Sequence, residues 1–219
     1  MSFAPALARI FLGMAAAVSL AACNVVVTKA PLLSPNDEAG APPLRPGLWR
    51  FDTDADCRFD DKAPYVNWPA CSGGAFLNAG DAAFYDRKSG KTALQHQAFV
   101  LAAGAPRIFQ ARVAIGGDFS TDSPPYVYAG GRATKVDDQG RIVAFAFWPV
   151  QCGPPPPASA GGEKLGAGGT LHPLAGLIMQ PGEPVCSTDS VPALRAAAKA
   201  SEAWAEKIPQ ARWLRDGDP

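Results

Sequence analysis

The sequence predicts an α+β domain made mainly of antiparallel β-sheet, with one C-terminal helix packed on it and Pro/Gly-rich loops between elements. Three observations predict it. From Trp49 the chain alternates, with Trp49, Phe51, Thr53, Ala55 and Cys57 on one side and Arg50, Asp52, Asp54 and Asp56 on the other, the period of a strand with one buried face. A hairpin follows later: Ala133 to Val136 leads into Asp137, Asp138, Gln139 and Gly140, and Arg141 to Trp148 resumes with Val143, Phe145 and Phe147 on one face. Near the C-terminus, Leu194, Ala197, Ala198, Ser201, Trp204, Ala205 and Ile208 recur at three- and four-residue steps opposite Arg195, Lys199, Glu202 and Glu206. Strands followed by one terminal helix give the α+β expectation.

Composition sets the frame for the elements. Hydrophobic residues are 47% and charged residues 18% of 219, the apolar content of a folded chain. Gly and Pro, at 22 each, together make up roughly a fifth against an average of about 12%, which argues for turns and loops and against a helical bundle. The formal charge is zero, so no basic field exists to attract nucleic acid.

Residues 1 to 22 follow the plan of a secretory signal: one positive charge at Arg9, then an uncharged apolar run from Ile10 to Ala22. That run is shorter than the ~20 residues a spanning helix needs. It ends in Leu20, Ala21, Ala22 and Cys23, which resembles the lipobox of bacterial lipoproteins. The resemblance implies diacylglyceryl transfer to the Cys23 thiol, cleavage before it and acylation, commonly with palmitate, so that the membrane is the first partner. Asn24 stands where the enterobacterial sorting pattern puts Asp in retained proteins, which implies the outer membrane, with the domain facing the periplasm. The resemblance covers this segment alone, and the folded domain resembles no family.

Residues 23 to 46 carry the expected lipidated Cys23 and five prolines, Pro31, Pro35, Pro42, Pro43 and Pro46, and read as an extended tether. Val25 to Val27 offer the alternative of a short edge strand. Residues 47 to 219 form the expected single domain. Its further strands are Phe76 to Asn78, Ala82 to Tyr85, Leu94 to Leu101, Arg107 to Ile115 and Tyr126 to Tyr128. After Cys152, Pro154 to Pro157 open a long loop over 153–185, with Leu174 to Met179 docking it back. The helix runs over 190–207, capped by Asp189 or Ser190, with Pro192 in its first turn and Pro209 beyond it.

Apart from Cys23, four cysteines remain: Cys57, Cys71, Cys152 and Cys186. An even count in an exported chain reads as disulfides. Three connectivities exist, and near neighbours, Cys57 with Cys71 and Cys152 with Cys186, close with the least entropy loss. A zinc site from the four is disfavoured because no CxxC pair is present. Asp52, Asp54 and Asp56 match the first calcium ligands of an EF-hand, but Cys57 replaces its glycine and Ala63 its bidentate Glu, so the acids are read as the solvent face of a strand.

His96 and His172 lie in no catalytic or metal spacing, and no GxSxG, SxxK, P-loop or GxGxxG occurs. His96 alternates with Leu94 and Ala98 and is read as partly buried; His172 with Asp118 or Asp122 is the least implausible catalytic set. Trp68 and Trp148 each stand in a Trp-Pro step just before a cysteine. Each reads as a cover for a disulfide, or, with Tyr126 and Tyr128, as a platform for a sugar or peptide. The functional expectation is a non-enzymatic, lipid-anchored envelope module that binds or scaffolds, with an envelope protein or peptidoglycan as partner and no cofactor or metal. The alternatives are a periplasmic hydrolase with 153–185 as a lid, or a carbohydrate or peptidoglycan binder.

Overall fold

A computed structural model describes residues 24–52, 57–85, 93–112, 124–155, 172–181, 185–205 and 208–217. The expectations for residues 1–23, Thr53 to Asp56, Val113 to Ile115, Asp118, Asp122 and the middle of the 153–185 loop lie outside them.

The architecture corrects the α+β expectation. Among the described residues, eight antiparallel strands close into a barrel: β2 (Gly47–Phe51), β3 (Gly73–Asn78), β4 (Asp81–Tyr85), β5 (Leu94–Ala102), β6 (Arg107–Arg112), β7 (Tyr126–Val136), β8 (Ile142–Pro149) and β11 (Gln210–Arg215). β2 to β8 run up and down between neighbours. β11 then fills the gap, pairing Ala211 with both Phe145 of β8 and Phe51 of β2. Closure lets the sheet bury its own inner face without a layer of helices. Three further strands, β1 (Val25–Thr28), β9 (Ile178–Met179) and β10 (Val185–Ser187), add to the edge of β7 outside the ring. The one α-helix among the described residues, α1 (Val191–Trp204), lies against β7 and β8. Ser190 caps it by accepting from the Ala193 N–H.

The barrel interior is filled by Trp49, Ala75, Ala82, Phe84, Phe99, Leu101, Ala111, Phe145 and Phe147. Outward-facing residues feed two outer layers. One packs Leu194, Ala197 and Ala198 of α1 with Val26, Leu33, Ile108, Tyr128 and Val150, around Cys152 joined to Cys186. The other packs Tyr65 and Trp68 onto Leu48, in the loop where Cys57 is joined to Cys71. These disulfides use the near-neighbour pairs and commit all four thiols, so no thiolate set remains for zinc. They mark the chain as an exported protein of an oxidising compartment. Among the described residues, no helix is long and apolar enough to cross a membrane.

Residues 24 to 46 are not a free tether. Asn24 is buried, donates to the Gly153 carbonyl and accepts from the Cys152 N–H. β1 pairs with β7 and β10, the edge-strand alternative. Beyond it, both Leu32 and Leu33 N–H groups donate to Gln110 Oε1, and the buried Gln110 donates back to Leu33 O. The prolines that suggested a tether lack donors but keep acceptors. Pro42 O accepts from Arg107, Pro43 O from the Ile142 N–H and Pro46 O from the Trp213 indole. The segment is a strap across one end of the barrel.

Candidate functional site

The strapped end is where β2 begins, where β3 turns into β4, where β5 passes to β6, and where the β7–β8 hairpin closes. Arg45 pins the strap there: it pairs with Asp216 at 3.1 Å and lies 3.5 Å over the Trp213 ring. The hairpin is set by Asp137, which accepts from the Gln139 and Arg141 N–H groups and from the Arg141 side chain. Desolvation pushes the Asp137 carboxyl up, but the bonds from Arg141 and Gln139 outweigh it and hold the pKa below the ordinary value. In the strap, the Ser34 N–H and hydroxyl bond Asp37 and lower its pKa likewise.

Between the strap and the β3–β4 turn lies a cavity of about 310 Å³. Its walls are mostly apolar: Pro43, Leu44 and Pro46 from the strap, Leu77 from β3, and Phe99 and Leu101 from β5, which also face the barrel core. Glu38, Arg107 and Arg141 supply its charge. Arg107, at the start of β6, is in phase with the inward Phe109 and Ala111 and is 8% exposed. It donates from Nη1 to Pro42 O at 2.6 Å and from Nη2 to Leu101 O at 2.7 Å. Its Nε–H is buried without a partner. Burial lowers its pKa, the Glu38 charge opposes the shift, and a guanidinium remains cationic. Glu38 Oε1 accepts from the Leu101 N–H, and among the described residues no carboxylate is hydrogen-bonded to Arg107. A buried charge whose hydrogen bonds go to two neutral carbonyls, with Glu38 acting only through its field, is a costly arrangement.

None of the candidate catalytic or ligand-stacking residues among the described ones lines this cavity. Trp68 and Trp148 are 3% and 0% exposed, so neither can stack on a sugar or peptide, which corrects the platform reading. Each ring lies against a strand glycine, Trp68 on Gly74 and Trp148 on Gly130. Tyr128 is also buried, its hydroxyl bonded to that of Thr28, and burial raises its pKa. Tyr126 is half-buried under Arg112. His96 is exposed rather than partly buried, because among the described residues no element covers its face of the β4–β5 pair; it contacts Asp81 at 2.8 Å. Both side chains of that couple are exposed and neither lines the cavity, although Asp81 directly follows its wall residue Gly80; His172 is exposed as well. Among the described residues no group of three or more His, Cys, Asp or Glu could hold a metal ion.

Sequence reasoning missed Arg107 because both faces of β6 carry polar residues, with Arg107 on the inner and Gln110 on the outer, so alternation does not say which is buried. The fold and the cavity together define a closed eight-stranded up-and-down barrel with an occupied core and a small amphipathic cavity at one end. No protein-family model matches this chain, nor does any curated protein or solved structure.

Proposed function

We propose that this chain is the precursor of an exported, lipid-anchored protein of the bacterial cell envelope, whose folded part is a non-enzymatic binding or scaffolding module. The observation that carries the anchor is the segment Leu20, Ala21, Ala22, Cys23, placed right after an uncharged apolar run of signal-peptide length. The disulfides support export. At roughly 0.8 kcal/mol per buried methylene, one acyl chain holds only marginally and two or three hold firmly. Cys23 is one peptide bond from Asn24, a step of about 3.8 Å, and Asn24 belongs to the fold. An anchor at Cys23 is thus one residue from Asn24, whose side chain bonds Gly153, and this reading sets that flank against the membrane. Asn24 favours the outer membrane, with the barrel facing the periplasm and an envelope protein or peptidoglycan within reach.

Metabolic labelling with an alkynyl palmitate analogue in a bacterial host tests the anchor. Label on the wild-type chain and none on Cys23→Ala is expected. An unlabelled wild type, or equal label on the variant, would overturn the reading.

A further inference from the structure

We infer that the cavity at the strapped end of the barrel is a binding site for a small amphiphilic carboxylate, its acid group on Arg107 and its apolar part against Leu44, Leu77, Phe99 and Leu101. This deepens the reading of the folded part as a binding module and does not depend on the lipid anchor.

Three features carry it. The first is the shape and chemistry of the cavity, an apolar concavity with few convergent polar groups, as small-molecule sites are built. The second is Arg107. A guanidinium has five N–H donors; carbonyls take one each at Nη1 and Nη2, which leaves each of those nitrogens a second hydrogen, while the Nε–H is out of solvent reach. A carboxylate matches this charge and its planar array of remaining donors. The third is the wall. Leu44, Leu77, Phe99 and Leu101 give the ligand an apolar side, which a free inorganic anion would not use.

The charges set the selectivity. Arg141 also lines the cavity, but Asp137 holds it at 2.8 Å. Glu38 contributes one negative charge to the lining, which disfavours dianions and leaves a monocarboxylate as the best match. Size sets an upper bound. At ~30 Å³ per water, 310 Å³ is the room of about ten waters, hence a ligand of roughly ten heavy atoms. Octanoate has that number.

Calorimetric titration of the full chain with octanoate, octanol and octyltrimethylammonium is the test. Octanoate is expected to bind at least about tenfold more tightly than octanol, the scale of one charge-assisted hydrogen bond, and the cation not at all. Arg107→Met should abolish the preference for octanoate over octanol, and Leu77→Trp, which fills the cavity and leaves Arg107 in place, should abolish both. Equal binding of octanoate and octanol, or no binding of octanoate at millimolar concentration, would overturn the inference. The ligand series on the unmodified sequence decides even if Arg107→Met fails to fold. Palmitate labelling at Cys23 is independent of the result, so failure of this site is distinguishable from failure of the anchor.

Discussion

The two flanks of the barrel solve one problem in two ways. On each, a tryptophan lies on a strand glycine and a disulfide stands close by in sequence: Trp68 on Gly74 near Cys57–Cys71, and Trp148 on Gly130 near Cys152–Cys186. On the first flank the cover is local. Trp68 sits in an irregular loop, held by Tyr65 and Phe59 and by its indole donating to Ala63 O. On the second flank the cover is assembled from distant segments. Trp148 belongs to β8 itself, and its indole reaches 2.8 Å to Ala198 O on α1. Val26, Val150 and Leu177 complete that layer. The helix that covers this flank also leads straight into β11, the strand that closes the barrel. The local flank is thus an addition to the barrel, whereas the assembled flank is part of its closure.

The largest expected effect follows from that difference. Trp148→Ala removes a fully buried ring and its hydrogen bond and should cost about 3 to 5 kcal/mol, lowering Tm by roughly 10 °C or more. Trp68→Ala should cost about 3 kcal/mol or less, because the loop can collapse onto Leu48. Equal losses in thermal melts would break the distinction. The disulfides sharpen it. Their sequence separations are 34 and 14 residues, so the chain-entropy model gives about 4 kcal/mol for Cys152–Cys186 and about 3 for Cys57–Cys71. Replacing the first pair by serines should expose α1 to hydrogen exchange; replacing the second should leave α1 protected. Loss of α1 protection in both would show that the flanks are coupled.

The smallest effect is on acid stability. Asp137 stays charged in the folded hairpin to lower pH than it does in the unfolded chain. Its contribution is therefore complete above about pH 4, the unfolded carboxyl range, and is lost as pH falls through the folded value. Asp137→Asn should lower stability near neutrality and flatten the profile below about pH 4, so that variant and wild type converge in acid. An unchanged acid limb in denaturant titrations would contradict this.

The parts visible in the sequence were those set by local pattern. Trp49 and Phe51 announce β2, Asp137 to Gly140 announce the hairpin, and Ser190 with the 194–201 spacing announces α1. Closure was not visible, because β11 reads Gln210, Ala211, Arg212, Trp213, Leu214, Arg215, with only Ala211 buried. Its meaning comes from pairing with Phe51, far away in the chain. The strap was misread for a similar reason. Proline content shows which donors are missing, but not that Arg107, Ile142 and Trp213 bring donors to the carbonyls. The cavity was hidden with it, since strap, turn and Arg107 meet only once the barrel has closed.

The proposed lipid at Cys23 and the two structural disulfides of the barrel that follows it are tested together most directly by intact mass of the membrane-extracted protein, before and after reduction and alkylation. Cleavage before Cys23, added acyl chains, and four thiols that appear only on reduction are the predicted result. An N-terminus elsewhere without acyl mass, or four thiols free from the start, would contradict it.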